Sequence, residues 1–397
     1  MSFQLTSFEQ ALRDEGVDGW LLYDFRGSNS LAQRLLDFPA GMLNSRRWAY
    51  GISAHGTPLK IVHRIEESML DHLPGERISY LHWKEFAAAL ERFCKGKKRI
   101  AMEYSPLAGN PYVARVDAGT IELIQSFGVE VVSSGDLIQL FDATCDEEQW
   151  RSHQRASEVT NSAYDVVWKR IAEATRYGGG IEERDVAQAI EDHFRQHGCV
   201  ATHAPIVARQ PHNGSPHYET GSGTDTLIRQ DDLVLVDLWA RLDQPRSIFS
   251  DLTRMGFVGT SVPEKYEVVF QIVAAARDAG IAAVQSAFSS QQPIRGAEVD
   301  DIVRNVITQA GYGKYFTHRT GHNIGQDLHG SGAHIDHLET REERKLIPRT
   351  CFSIEPGIYL EEFGIRSEVD IFITADKTVH VTGGMVQKEI IPILKDY

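Results

Sequence analysis

Residues Leu233 to Gly259 read LVLVDLWARLDQPRSIFSDLTRMGFVG, and the fold of the chain turns on how this stretch is read. The run of Leu and Val at Leu233–Val236 predicts a buried strand, yet Asp237 sits where the run should continue. A turn-prone segment, Asp243, Gln244, Pro245, Arg246 and Ser247, reverses the chain, and a second apolar strand over Ile248–Val258 carries Asp251. A hairpin closing around Gln244 sets the two aspartates roughly opposite one another. Carboxylates buried in a strand core cost on the order of several kcal/mol each, and two side by side repel. Either the strands lie at a sheet edge, where both acids meet water, or something outside the chain supplies positive charge.

A second hairpin favours the latter. Cys351–Leu360 reads CFSIEPGIYL, a turn follows at Glu361–Gly364, and Ile365–Thr374 makes the return strand. Each strand again carries one acid, Glu355 and Glu368, thirteen residues apart where the aspartates are fourteen apart. On the return strand Ile365, Val369, Ile371 and Ile373 face one way, and Arg366, Glu368 and Asp370 face the other. Four converging carboxylates do not all stay ionised without cations, so a divalent metal site is the simplest account.

Composition bounds the rest. A chain of 397 residues predicts two or three domains, and 42% hydrophobic with 24% charged residues is ordinary for a globular protein. The net charge of −14, without a Lys/Arg cluster, argues against nucleic acid or an anionic membrane as partner. The N-terminus, MSFQLTSFEQALRDEG, has neither the basic start nor the apolar run of a leader, and no apolar run reaches membrane-spanning length. Cys94, Cys145, Cys199 and Cys351 lack paired spacing, so reduced thiols in a cytoplasmic protein are expected.

Residues 1–145 alternate short strands and helices, an α/β domain with no evident catalytic cluster; Glu103 and Tyr104 are its one pair to watch. A boundary is expected near Phe141–Glu148, where Asp, Thr and Glu cap a long helix running to about Tyr177. From residue 146 to 397 the order is two helices and a hairpin, then two helices and a hairpin. This near-repeat predicts a pseudo-symmetric α+β domain with both hairpins in one central sheet and helices outside it. Between the halves, Thr317–Asp336 reads THRTGHNIGQDLHGSGAHID, with His318, His322, His329 and His334 among Gly321, Gly325, Gly330 and Gly332. Four histidines in a tight, glycine-rich segment, in a chain already calling for a cation, point to ligation and catalysis.

The ordered set Asp237, Asp251, His322, Glu355, Glu368 resembles the five metal ligands of the pita-bread metallopeptidases, the group of methionine aminopeptidase, aminopeptidase P and prolidase. The likeness covers roughly residues 150–397. It is carried by Ser250-Asp251-Leu252-Thr253-Arg254, Gly321-His322-Asn323-Ile324-Gly325, Ser353-Ile354-Glu355-Pro356-Gly357 and Gly364-Ile365-Arg366-Ser367-Glu368. It implies an α/β N-terminal domain followed by a creatinase/aminopeptidase-like pita-bread catalytic domain with pseudo-two-fold symmetry. It also implies two divalent ions: Asp251 and Glu368 bridge them, Asp237 holds one, and His322 with Glu355 holds the other. The oxygen-rich set with a single imidazole suits Mn²⁺, with Co²⁺ or Zn²⁺ as alternatives. A hydroxide shared by the ions would attack the scissile carbonyl, Glu355 would carry its proton to the leaving amine, and His329 would steady the oxyanion. His217 would line the substrate side.

His318, four residues before His322, and Arg366, two before Glu368, are similar to the proline-specific branch, where they flank the pocket beyond the scissile bond; Arg366 can also simply balance the acids. An exopeptidase acting on Xaa-Pro bonds of short peptides or dipeptides is therefore expected, as a homodimer through the N-terminal domain. The alternatives are a metallo-aminopeptidase of other specificity, a creatinase-like hydrolase, or a non-catalytic binding module on the same scaffold. Several positions depart from the family pattern. The Asp237–Asp251 loop is longer, Ile248 replaces a Tyr, Arg319 replaces the Gly after the first histidine, and Gly330 stands where an acid is common. None removes a ligand, but all reshape the rim.

Overall fold

Gly19–Asp24 is buried along its whole length, which makes it an inner strand. In the computed structural model, which describes residues 3–39 and 41–397, it lies in a six-stranded mixed sheet. The order is Glu76–Tyr80, Leu59–His63, Trp48–Ser53, Gly19–Asp24, Arg99–Met102, Glu130–Ser133. Helices Leu5–Asp14 and Ser30–Leu35 pack on one face, and Trp83–Cys94 and Ala118–Ser126 on the other. Glu103 is wholly buried and accepts hydrogen bonds from Trp20 Nε1, Asn29 Nδ2 and Ser134 Oγ. It ties this unit together and opens onto no site. The chain divides into two units between Asp142 and Ala143.

In the second unit, Asp146 and Gln149 form a capping box that starts α1 (Glu147–Thr175), and α2 (Glu183–Gln196) packs beside it. The first hairpin follows as β1 (Leu233–Leu242) and β2 (Ser250–Phe257), then α3 (Glu264–Ser289) and α4 (Gly296–Gln309). The second hairpin comprises β3 (Cys351–Ile354), β4 (Gly357–Tyr359), β5 (Gly364–Arg366) and β6 (Val369–Ile373). Strand alternation sorts the side chains. Val234, Val236, Leu238 and Ala240 of β1 and Leu252 of β2 join one core with α1 and α2. Phe352, Ile354, Ile365, Val369 and Ile371 join a second core with α3 and α4. Each hairpin thus turns its outer face to its own helix pair, and the two inner faces look at each other.

The hairpins do not share one sheet. The first belongs to a five-stranded sheet with Ile206–Arg209 beside β1, the second to a separate four-stranded sheet plus the two-stranded β4–β5 ladder. Within the second hairpin the ladder loses one bond at Pro356, which has no N–H to give, although its carbonyl still accepts from Ser367 N at 3.3 Å. The adjacent pair, Glu355 and Glu368, turns its backbone outward: Glu355 N donates to Thr320 O at 2.7 Å. Opposite it, Glu368 N donates to Thr253 O of the first hairpin at 3.2 Å. These two outward bonds stitch the hairpins and the histidine segment to one another. Among the described residues, no helix is long and apolar enough to cross a membrane.

Candidate metal centre

Asp237 and Asp251 both lie on the inner face of the first hairpin, but diagonally. Asp237 stands opposite Thr253, and Asp251 opposite Trp239. The reversal is centred on Pro245, one residue later than the sequence suggested. Ile248 and Phe249 stay in the loop, Arg246 takes a left-handed φ of 65°, and its guanidinium pairs with Asp146. On the second hairpin the ladders either side of Pro356 keep one register, Ile354 with Val369 and Gly357 with Arg366. Glu355 and Glu368 therefore face each other across the gap.

The histidine segment reaches this cluster through glycines. A Cβ on Gly321 would fall 2.0 Å from Ser353 O, and one on Gly330 would fall 2.2 Å from Asn323 Oδ1. Only a bare backbone lets His322 run this close to β3. His322 N donates to Ser353 Oγ, and Ser353 Oγ donates to Glu355 Oε1. One atom each from Asp251, His322 and Glu368 lies within 4.8 Å of the others, and all three residues are buried.

Whether a cation fits can be read from the atoms left over. Asp237 Oδ1, Asp251 Oδ1 and Glu368 Oε1 are buried without a hydrogen-bond partner, a costly state unless a ligand completes them. His322 Nδ1 lies 3.3 Å from the Asn323 carbonyl, which can only accept, so Nδ1 carries the proton. The Nε2 lone pair is then aimed at Asp251 Oδ2 at 3.4 Å and Glu355 Oε1 at 3.5 Å. Lone pairs facing carboxylates repel unless a positive ion sits between them. Carboxylate oxygens with one imidazole nitrogen are the donor set of a divalent cation such as Mn²⁺, so the residues present fit a metal.

Burial dominates the ionisation of these acids. It drives Asp251 and Glu368 well above the ordinary carboxylate range; Asp237 and Asp370 add to the rise at Asp251, and Asp251 and Glu355 to that at Glu368. Burial also lifts Asp237, against the neighbouring Arg366. Glu355 is pushed up to about 7, again chiefly by burial, with Arg366 opposing and Asp237 adding. A carboxyl raised in the fold favours folding below its ordinary value of 4.5, and that contribution is lost as pH climbs through about 7. Metal-free Glu355→Gln is therefore expected to melt close to wild type near pH 4.5 and progressively above it toward pH 8. Comparing the two melting curves isolates this residue from the histidines. A gap that shrinks with rising pH would contradict the buried-acid account.

Beside the acids lies a cationic end. Arg366 Nη2 donates to Asp237 Oδ2, its Nε to Thr253 Oγ1 at 3.1 Å, and its Nη1 to Tyr359 Oη at 3.1 Å and Pro216 O at 3.4 Å. Tyr359 Oη also meets His318 Nε2 at 2.7 Å. Burial and then Arg366 push His318 down to about 3, so its ring is neutral. The His329 ring stands 4.3 Å from that of His322, edge to face, and is open to solvent. Partial burial, Arg319 and His217 hold it near 4. His217 is exposed and close enough to lower both His318 and His329. His334 is drawn elsewhere: its Nδ1 accepts from Asn323 N, holding the segment's own turn.

Three residues of the site were not singled out from the sequence. Thr253 Oγ1 donates to Glu368 Oε2 while accepting from Arg366. Tyr359 links His318 to Arg366. Asp370 accepts from Asp251 N at 2.9 Å. Only Asp370 left a trace in the sequence, as the third polar residue on one face of its strand.

A profile of metallopeptidase family M24 matches residues 151–375, the segment that holds every residue of this cluster. The chain belongs to metallopeptidase family M24. Members of this family use divalent metals, in keeping with the orphaned oxygens. The chain is 34% identical over 289 residues to the uncharacterized peptidase YqhT of Bacillus subtilis, covering 72% of this chain and 73% of that one. It is 30% identical over 239 residues to the Xaa-Pro dipeptidase of Pyrococcus horikoshii, covering 59% and 61%. The prolidase of Thermococcus sibiricus is similar in structure, with a TM-score of 0.62 and 25% identity over 98% of this chain and 97% of that one. Across the M24 fold the pseudo-two-fold α+β domain expected from the sequence is present, preceded by the α/β unit.

Proposed function

We propose that the chain is an exopeptidase of dinuclear type that hydrolyses the Xaa-Pro bond of short peptides or dipeptides. The observation that carries the reading is the Arg366–Tyr359–His318 chain set against the acid cluster through Asp237. The acids suit a substrate's free amine and a metal pair, and the buried guanidinium suits a carboxylate at the far side of the scissile bond.

In this reading Asp237, Asp251, His322, Glu355 and Glu368 would hold two divalent ions, Mn²⁺ by preference. When bound, such ions supply an activated water near neutral pH and polarise the carbonyl. The protein does the rest. Glu355 would hold that water's proton on a carboxylate oxygen and deliver it to the leaving nitrogen. His329, neutral and open to solvent, would donate an N–H to the developing oxyanion. His318, Arg366 and His217 orient the residue that leaves. Four buried free cysteines suit a reducing, cytoplasmic setting, and a homodimer through the N-terminal unit goes with the resemblance to aminopeptidase P and prolidase.

The test is turnover of an Xaa-Pro dipeptide and oligopeptide panel by protein loaded with Mn²⁺, alongside matched peptides lacking proline. Release from the Xaa-Pro members is expected. Metal bound with no release from any of them would sink the substrate claim.

A further inference from the structure

Beside four of the acid and imidazole side chains of the site, the residue two positions away in sequence is apolar. Asp237 is followed by Trp239, Asp251 preceded by Phe249, His322 followed by Ile324, and Asp370 followed by Phe372. These apolar residues meet in one small cluster distinct from the two large cores. Phe249, Ile324 and Phe372 are fully buried, whereas Trp239 and Leu328 keep part of their surface open. Trp150 of α1 closes the cluster from the helix side by stacking on Phe372 at 4.1 Å. Of the partly open members of this cluster, Trp239 and Leu328 are the two that stand beside site residues, Asp251 across the strand pair and His329 in sequence.

Their placement relative to the chemistry is specific. Trp239 is the cross-strand partner of Asp251, and it lies two residues, about 7 Å of strand, beyond Asp237. Leu328 immediately precedes His329, whose ring packs on His322. Arg366 binds Asp237 toward the other end, with His318 and Tyr359 behind it. The site is polar in the directional sense: cation at one end, acids in the middle, an aromatic and aliphatic wall at the other.

A peptide laid across such a site has one sensible direction. Its carboxyl side goes to Arg366 and its free amine to the acids. The side chain of the N-terminal residue is then left against Trp239 and Leu328. We propose that Trp239 and Leu328 form the pocket for the residue before the scissile bond and select large apolar or aromatic side chains there. This rests on the peptidase reading above.

The experiment compares Phe-Pro and Leu-Pro with Gly-Pro, using Mn²⁺-loaded wild type, Trp239→Ala and Leu328→Ala. Wild type is expected to favour the large residues by roughly 10- to 100-fold in kcat/KM, the scale of one well-filled apolar pocket. Trp239→Ala should cut that ratio at least about tenfold, Leu328→Ala should cut it less, and Trp239→Phe should restore most of it. A flat wild-type profile, or a ratio that survives in Trp239→Ala, would overturn the proposal. If no dipeptide is cleaved at all, the peptidase reading fails on its own. Calorimetric titration with L-phenylalanine and glycine then decides the pocket. Tighter phenylalanine binding that Trp239→Ala abolishes supports it, and equal affinities overturn it.

Discussion

Glu368→Ala is expected to strip the protein of bound metal and of turnover together. One of its oxygens takes the Thr253 hydroxyl and the other has no partner, so one oxygen is held in place while the other is left to ligate. It converges with Asp251 and His322 in the closest set of donor atoms. Burial, followed by Asp251, Glu355 and Asp237, raises its carboxyl well above the ordinary range, which means that the charged form is unfavourable until an ion arrives. Two opposite effects on stability follow. Metal-free Glu368→Gln, which keeps the shape and drops the charge, should melt above metal-free wild type. Wild type at a metal concentration 100 times its Kd should then gain about 2.7 kcal/mol, while neither variant gains a comparable increment. Elemental analysis and melting curves with and without Mn²⁺ separate these effects from a folding defect. Full metal content with retained activity in Glu368→Ala would end the assignment.

The same physics explains what could be seen in the sequence. An acid inside an apolar strand is conspicuous because burial makes it expensive, so Asp237, Asp251, Glu355 and Glu368 stood out one by one. His322 stood out because glycines on either side imply a close backbone approach, and the 2.0 Å clearance at Gly321 is that approach. Thr253 and Tyr359 were invisible for the converse reason. Both are good strand residues, and a hydroxyl on a strand advertises nothing until its partners arrive from residues 113 and 41 positions away. The register of the first hairpin differs from the turn expected because Ile248 and Phe249 stay in the loop, buried against Ile324, Cys351 and Phe372, contacts that turn chemistry alone does not contain. The expectation of one shared sheet failed because the hairpins meet through single outward bonds rather than a ladder: Glu355 N goes to Thr320 O and Glu368 N to Thr253 O, partners that the sequence of neither hairpin reveals.

His329→Ala is expected to keep its metal and lose roughly 10²- to 10³-fold in kcat, the usual cost of removing one oxyanion donor. The two parts of that statement have separate grounds. His329 touches His322 edge to face at 4.3 Å, a packing contact that leaves Nε2 of His322 free to meet Asp251 and Glu355. Removing the ring should therefore leave the donor set standing. The ring itself is open to solvent, and with its pKa held near 4 it is neutral at working pH. It can offer an N–H there without bringing a second positive charge against the ions. A group that acts only as charge develops lowers kcat with little change in KM when it is lost. His329→Gln, which retains a side-chain N–H donor, should recover part of the loss, and His329→Leu should recover none. A variant that binds metal normally but shows a raised KM at unchanged kcat would place His329 in substrate binding instead. A variant that loses metal would make it a support for His322.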